Sequence, residues 1–486
     1  MESRKKRGRS TGAKRIVPKQ EIIDLTISDS DSHSDSESED EDDTVPPSES
    51  ESEDDTVPPT IGALYRLGDR TLLGVRSVDK EKRQATCQKF VPRGTTGCEE
   101  DFPVVPFTEL PLSCLVKDWS YSFDNDKKHE FSISSARPKR RNRRSLESRE
   151  PRTLELFAGA GGMSLGLEAA HMDILWAVEK NEAAAKTLNG NLPPEKKNTV
   201  VFNECVYKFL ESSKEGEDSY PKKGEVDHIH ASPPCQGFSL ANRYGGKNDT
   251  ANNQLSFAFV DAVDHFLPKT ATYENVMGLA TKKIGKEILC GMITDLFSLG
   301  YQIRLCVLNA SHYGDPQVRE RIIIFAAMED MPLPPRPEPT RGDGRRGDGS
   351  KLYPVVTVEE VLRPFADIEP LRVDEKGSIT IRGRKIFDHC APTSKQLYEH
   401  HPDNKTLNEG QPAPTVKCQN RLIHYNHHRY LSVREYACLQ SFPFYWTFCG
   451  TEEQKFRQIG MQSRCIWQPK SLDQLGKSTD PGSLFI

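Results

Sequence analysis

The chain has 486 residues, of which only 35% are hydrophobic, and its formal net charge at pH 7 is −5. This length allows about two or three domains, and the low hydrophobic share predicts that part of the chain builds no core. The 12 cysteines show no paired C-x-x-C spacing, and no signal-peptide pattern or long apolar span occurs. These features argue against a disulfide framework, a structural zinc site and a membrane protein. They predict a soluble intracellular protein with reduced cysteines.

Residues 1–59 are predicted to form a disordered tail, because their charges are segregated and few of their side chains are apolar. The string DDTVPP occurs in this tail at 42–47 and again at 54–59. One apolar segment runs from Ile22 to Ile27 and is followed at once by the letters SDSD. It resembles a motif that binds SUMO, the small ubiquitin-like modifier, by adding a short strand to a sheet edge. The alternative is a chance apolar patch.

Residues 60–128 are predicted to form a small β-rich domain, because short apolar runs alternate with glycine and charged turns. The domain resembles a bromo-adjacent homology module, which reads chromatin, so histone tails are candidate partners. The alternative is a β-rich extension that packs on the domain after it. Residues 129–150 are predicted to be a basic linker with RPKRRNRR at 137–144. Such a run is typical of nuclear import signals and phosphate-contacting arms, or is merely solvated. We expect a nuclear protein.

From Thr153 onward, strand-like and helix-like segments alternate. This pattern predicts an α/β fold with a doubly wound, mostly parallel sheet. A helix is predicted to start at Met163, and the alternation breaks down between about 331 and 410, which predicts an inserted lobe. The predicted strands cover 154–157, 174–178, 226–231, a strand that ends at 274, 303–308 and 322–326.

A glycine-rich turn, FAGAGG at 157–162, joins the first of these strands to its helix, and Glu179 ends the next strand. Such a turn lets a ligand approach the backbone and the helix N-terminus, and the carboxylate can hold the ribose hydroxyls of a nucleoside cofactor. The spacing differs from the dinucleotide pattern G-x-G-x-x-G, so a nicotinamide dehydrogenase is a less favoured alternative. A glycine turn without a cofactor is the other alternative.

Cys235 stands at the carboxyl end of another predicted strand, in the string SPPCQGFS at 232–239. Two prolines fix the backbone before the thiol, and Gly237 permits a tight turn after it. Open α/β sheets build their active sites at this edge. A lone cysteine is otherwise often an inert buried residue.

Five motifs occur in the order typical of DNA (cytosine-5) methyltransferases, and residues 151–460 resemble the catalytic domain of that family. The motifs are FAGAGG at 157–162, PPCQGFS at 233–239, ENV at 274–276, QVRER at 317–321, and RYLSVRE at 429–435 with QSFP at 440–443. The resemblance implies the fold of S-adenosylmethionine-dependent methyltransferases, with a target-recognition lobe at about 338–420. It implies methyl transfer from S-adenosylmethionine to carbon 5 of cytosine in double-stranded DNA, and through it epigenetic silencing.

The resemblance also implies roles for single residues. Cys235 matches the nucleophile that adds to cytosine carbon 6, and Glu274 matches the carboxylate that binds or protonates ring nitrogen 3. Arg319 and Arg321 match the guanidinium groups that hold the cytosine oxygen. The alternatives are a structural carboxylate and two surface charges. No metal is implied, because the sulfonium already activates the methyl group. The implied cofactor-binding residues are Phe157, Gly159, Gly161, Gly162, Glu179, Glu204 and Pro234.

The chain departs from the family after Gly460. The family continues with a Gly-Asn-x-Val-Pro segment and a closing helix, and residues 461–486 contain neither. We therefore expect a divergent or truncated ending that weakens cofactor binding. Two alternatives stay open: methylation of cytosine in RNA, and a catalytically impaired chromatin adaptor that retains a methyltransferase-like lobe.

Overall fold

The computed structural model describes residues 59–67, 71–91, 93, 104–106, 115–117, 119–124, 130–136, 149–196, 198–234, 249–345, 349–366, 379–381, 384–386, 406–418, 422–426 and 429–461. The segment from Ile22 to Ile27, the basic run at 137–144, the nucleophile candidate Cys235 and the tail at 462–486 lie outside these residues.

The strands follow one another along the whole described chain. In order they are β1 (Leu64–Arg66), β2 (Leu72–Asp79), β3 (Gln84–Phe90), β4 (Val104–Pro106), β5 (Trp119–Asp124), β6 (Glu130–Ser135), β7 (Arg152–Leu156), β8 (Asp173–Val178), β9 (Val200–Phe202), β10 (His228–Ala231), β11 (Thr270–Val276), β12 (Tyr301–Asn309), β13 (Glu320–Met328), β14 (Ile379–Ile381) and β15 (Arg384–Ile386).

The helices lie between the strands from β7 onward and after β15. They are α1 (Gly162–Ala169), α2 (Glu182–Asn191), α3 (Val206–Glu215), α4 (Asp249–Phe266), α5 (Gly278–Thr281), α6 (Lys283–Ser298), α7 (Val358–Leu362), α8 (Val433–Leu439) and α9 (Glu452–Met461). Among the residues that the structure describes, no helix has both the length and the apolar character that a membrane crossing requires.

The large sheet, as far as the described residues go, has nine strands in the order β5-β6-β12-β13-β11-β10-β7-β8-β9. The strands from β11 to β9 pair in parallel, and the other four pair antiparallel beside β11. The chain moves outward from β7 through β8 to β9 and then returns to β10 on the other side of β7. Ligands of open α/β sheets bind at such a switch point. The α/β class is confirmed, and the crevice lies at the carboxyl ends of β7 and β10.

One strand lies where the sequence predicted a linker. Within residues 129–150, Glu130–Ser135 form β6, which pairs with β5 and with β12. Three of its six residues are serines, and its two apolar residues, Phe131 and the fully buried Ile133, stand at alternate positions. This alternation is short and stands in a polar, arginine-rich stretch, so the composition favours a linker over a strand.

The strands β1 to β4 form a separate antiparallel sheet; β3 contacts α6, and Arg93, which follows β3, contacts α4. The Arg93 guanidinium lies 4.2 Å from the centre of the Phe257 ring, and its Nη1 donates to Asp261 Oδ1 at 2.9 Å. The Thr294 hydroxyl donates to the carbonyl of Val91 at 3.2 Å. These contacts agree with the alternative of a β-rich extension packed on the following domain.

A row of polar side chains is buried across three neighbouring parallel strands. Glu155 on β7 lies in register with His230 on β10, and His230 lies in register with Thr272 on β11. Glu155 Oε2 accepts a hydrogen bond from the Ser164 hydroxyl at 2.6 Å. Burial raises the pKa of Glu155 to about 8 and lowers the pKa of His230 to about 3. Both side chains are therefore neutral at pH 7, which avoids placing charges in the core.

We expect the free energy of unfolding to fall as the pH rises from 6.5 to 8.5, because of Glu155. An unfolded glutamate has already lost its proton there, whereas the folded side chain keeps its proton until the pH passes its pKa of about 8. The resulting slope is at most about 1.4 kcal/mol per pH unit. Glu155→Gln still accepts from Ser164 and has no proton to lose. Urea unfolding at four pH values should show that the variant gains stability relative to the unmodified protein as the pH rises. If the free energy of unfolding of the two proteins changes in parallel with pH, the raised pKa of Glu155 is contradicted.

Candidate active site

The glycine-rich turn between β7 and α1 has a strained backbone and no room for a side chain at position 161. Phe157, Gly159 and Gly161 have φ angles of 60°, 57° and 88°, in the left-handed region. A Cβ on Gly161 would stand 2.8 Å from both Leu188 Cδ1 and Trp446 Cζ2. Glycine is therefore required at position 161 both by conformation and by packing.

The Glu179 carboxylate, directly after β8, holds this turn. Its Oε2 accepts from the Gly159 N–H at 2.8 Å, and its Oε1 accepts from the Asn181 N–H at 2.6 Å. Burial raises the pKa of Glu179, although these two hydrogen bonds favour the ionised form. Each carboxylate oxygen has two lone pairs, so both can accept a further hydroxyl donor. The arrangement fits the ribose of a nucleoside whose remaining atoms lie along the turn.

The loop after β10 runs beside the turn. The Ser232 N–H donates to the Leu156 carbonyl at 3.4 Å, and the Ser232 hydroxyl lies 3.5 Å from the Phe157 carbonyl oxygen. These contacts bring Pro234 to the same edge of the sheet as the turn. Cys235 follows Pro234 in the chain, and its own placement lies outside the described residues.

Glu274 and Arg321 form a buried ion pair across β11 and β13. Arg321 Nε lies 2.9 Å from Glu274 Oε1, and the two side chains are 14% and 6% exposed. Arg321 Nη1 also donates to the Glu320 carbonyl at 2.7 Å. The charge-assisted hydrogen bond from Arg321 Nε fixes the direction of the Glu274 carboxylate. The pair agrees with both the catalytic and the structural interpretation of Glu274.

Arg319 lies just before β13 and is 6% exposed. Its N–H donates to Asn309 Oδ1 at 3.3 Å, and its carbonyl accepts from the Ala310 N–H at 2.9 Å. Arg319 is buried, and the side chain of Arg321 is largely buried. The alternative interpretation of these two arginines as exposed surface charges is therefore wrong.

The carboxylate of Glu204 is engaged by neighbouring side chains. Its Oε1 accepts from the Tyr220 hydroxyl at 3.0 Å, and its Oε2 lies 3.2 Å from Lys208 Nζ. The cofactor contact implied for Glu204 stays a prediction. The preceding residue, Asn203, was not singled out in the sequence, and its Nδ2 donates to the Glu179 carbonyl at 2.9 Å.

Two further residues join distant motifs in ways that the sequence does not reveal. Trp446 Nε1 donates to the Ala160 carbonyl, 286 positions earlier, at 3.1 Å. Gln317 is fully buried, and its Nε2 donates to Gln440 Oε1 at 2.7 Å, which links the QVRER motif to the end of α8. Neither contact has a local pattern, so no spacing rule could have found it. No cluster of His, Cys, Asp and Glu within the described ranges is arranged to hold a metal ion.

Comparisons with known proteins cover the part of the chain that carries this site. The family model described as C-5 cytosine-specific DNA methylase matches residues 151–462. Type II methyltransferase M.Eco47II of Escherichia coli is 31% identical over 333 residues, which are 63% of this chain and 74% of that protein. A solved Escherichia coli structure described as a putative DNA modification methyltransferase encoded within a prophage has a TM-score of 0.50 and 25% identity. It covers 65% of this chain and 96% of that chain.

A plant relative matches over a shorter range. DNA (cytosine-5)-methyltransferase 4 of Arabidopsis thaliana is 34% identical over 212 residues, which are 38% of this chain and 14% of that protein. Because bacterial and plant proteins are both similar, the comparisons do not favour a eukaryotic nuclear type. The matched range includes the glycine turn, the Glu274–Arg321 pair and the position of Cys235. On this match over most of its length, the chain belongs to the C-5 cytosine-specific DNA methylase family.

Proposed function

We propose that this chain transfers a methyl group from S-adenosylmethionine to carbon 5 of cytosine in DNA, through a transient bond to Cys235. The observation that carries the proposal is the buried Glu274–Arg321 pair, level with the glycine turn and with the loop that leads to Cys235. A paired, oriented carboxylate at the switch point of an α/β sheet is suited to bind the polar edge of a base.

The register of the strands supports this arrangement. Ala231 at the end of β10 pairs with Leu156 on β7 and with Tyr273 on β11. β7 and β10 therefore end level with Tyr273, and β11 continues from there through Glu274 to Val276. The turn that follows Leu156, the loop that follows Ala231 and Glu274 share one edge of the sheet. A base placed at this edge meets the carboxylate on one side and the cofactor turn on the other.

The chemistry follows from the weak nucleophilicity of cytosine carbon 5. The Cys235 thiolate adds to carbon 6, and the electron pair of the 5,6 double bond moves to carbon 5. Glu274 binds ring nitrogen 3 and favours this shift of density, while Arg321 holds the carboxylate in place. After methylation, loss of the carbon 5 proton to a base and departure of Cys235 restore the double bond and the thiolate.

The proposed cofactor site consists of the turn and Glu179. The family normally uses S-adenosylmethionine, which supplies an electrophilic methyl group on its sulfonium. Glu179 accepts the ribose hydroxyls, and Gly159 and Gly161 let the ligand approach the backbone. The observation in favour is the desolvated Glu179 carboxylate, which already accepts from the turn and retains lone pairs for the ribose.

The remaining parts of the proposal rest on the sequence. The target base must leave the duplex to reach the buried carboxylate, so we propose that the segment predicted as a loop from Leu240 to Asn253, whose last residues begin α4, closes over it and that residues 338–420 contact the groove. Four further proposals also rest on the sequence alone. They are nuclear localisation, epigenetic silencing, SUMO binding between Ile22 and Ile27, and histone binding by residues 60–128.

A duplex that contains 5-fluorocytosine should become covalently attached to the full-length protein when S-adenosylmethionine is present. Fluorine on carbon 5 cannot leave as a proton, so Cys235 stays bonded to carbon 6. A denaturing gel should show a shifted band that Cys235→Ala abolishes. Cys205→Ala, which removes a half-buried free thiol at the start of α3, should keep the band. No band with the unmodified protein, or a band with Cys235→Ala, would refute the mechanism.

Glu274→Gln should lower kcat by about 100-fold or more, because the amide cannot exchange a proton with ring nitrogen 3. Cofactor affinity should change little. Tritiated methyl transfer and thermal unfolding should be measured together, because a purely structural Glu274 predicts lower stability with most of the activity kept. Glu320→Gln is the matched control, since Glu320 is exposed at the start of β13, and it should keep full activity.

A further inference from the structure

We propose that Trp446 is a positioning residue for the cofactor turn and that it raises the affinity for S-adenosylmethionine by holding the backbone of Ala160 and Gly161. Trp446 begins what we call the bracing segment, residues 446–458. The inference rests on the proposed cofactor site and extends it to a part of the chain that carries none of the assigned site residues.

Trp446 closes one side of the turn with two kinds of contact. Its Nε1 donates to the Ala160 carbonyl at 3.1 Å, and Trp446 is 4% exposed while Ala160 is 0% exposed. Its Cζ2 lies 2.8 Å from the place where a Cβ on Gly161 would stand. The indole thus contacts the turn at two successive residues, directly before α1.

The indole is itself held rigidly. The Trp446 carbonyl accepts from Arg434 Nη2 at 2.5 Å, and the Trp446 N–H donates to the Pro443 carbonyl at 3.0 Å. Arg434 is fully buried on α8, and the ring centre of Phe442 lies 5.9 Å from that of Trp446. Because these contacts fix the main chain of Trp446, its side chain presents the N–H in one direction.

The rest of the bracing segment holds α2, the helix that follows the ribose-binding carboxylate. Asn191 Nδ2 donates to the Thr447 carbonyl at 2.7 Å, and Asn191 Oδ1 accepts from the Thr447 N–H at 2.8 Å. The Thr187 hydroxyl accepts from the Cys449 N–H at 2.8 Å and donates to Gln458 Oε1 at 2.7 Å. The same segment therefore holds both sides of the proposed cofactor site.

This bracing matters because the turn is conformationally unusual. Phe157, Gly159 and Gly161 all have positive φ angles, and glycine visits many other conformations at little cost. A turn that is held in one conformation before the ligand arrives has less ordering to undergo on binding, so the affinity is higher. The net effect of one hydrogen bond corresponds to about a 3- to 10-fold change in Kd.

The test uses Trp446→Phe in the full-length protein, because phenylalanine keeps a packing ring and removes only the N–H donor and the second ring. Isothermal titration with S-adenosylmethionine and with its demethylated product should show Kd values about 3- to 10-fold higher. KM for S-adenosylmethionine should rise by the same factor, and kcat at saturation should stay within about 2-fold. An unchanged Kd in a folded variant would overturn the inference.

Two further variants complete the design. Trp119→Phe is the matched control, because Trp119 packs on Phe297 with ring centres 4.8 Å apart and contacts no part of the turn; its Kd should be unchanged. Asn191→Ala loosens the bracing segment from α2, so its Kd should also rise. It supplies the measurement if Trp446→Phe does not fold, and an unchanged Kd in Asn191→Ala then overturns the inference. An unmodified protein that binds neither ligand refutes the proposed function itself.

Discussion

Leu156 and Ala231 end β7 and β10 opposite Tyr273 on β11, and this pairing places three parts of the candidate site. The turn that follows β7, the residues that follow β10 and the Glu274 carboxylate share one edge because β7 and β10 end level with the residue before Glu274. Hydrogen bonding between parallel strands sets the level, and a shift by one residue would turn Glu274 to the other face of the sheet.

The sheet buries two carboxylates near one another in opposite ways. Glu274 is paired with Arg321, so its charge is balanced and its direction is fixed. Among the described residues no cation forms an ion pair with Glu155, and burial raises its pKa to about 8, which favours its protonated form at neutral pH. The two carboxylates differ in protonation because only Glu274 is paired with a guanidinium group in the described structure. Glu274 lies at the edge where we propose that the base binds, whereas Glu155 lies within the buried sheet.

The part of the chain outside the family range is joined closely to the part inside it. β5 and β6 continue the large sheet beyond β12, and Arg93 contacts α4, the helix that follows the loop after Cys235. Within the family range, Trp446 contacts the cofactor turn, and Asn191 on α2 contacts the residue after Trp446. The proposed chemistry is thus supported by segments that contribute no reacting group.

The motifs alone were sufficient to predict the α/β class, the family and the crevice, because glycine turns, strand-end carboxylates and a Pro-Pro-Cys string are local patterns whose chemistry depends on residue type. Only the tertiary structure showed that Arg321 pairs with Glu274, that Glu204 is engaged by Tyr220, that Glu130–Ser135 form a strand, and that Trp446 holds the turn. Each of these depends on which distant segments share a buried space, and packing between residues far apart in the chain leaves no periodic signal in the sequence.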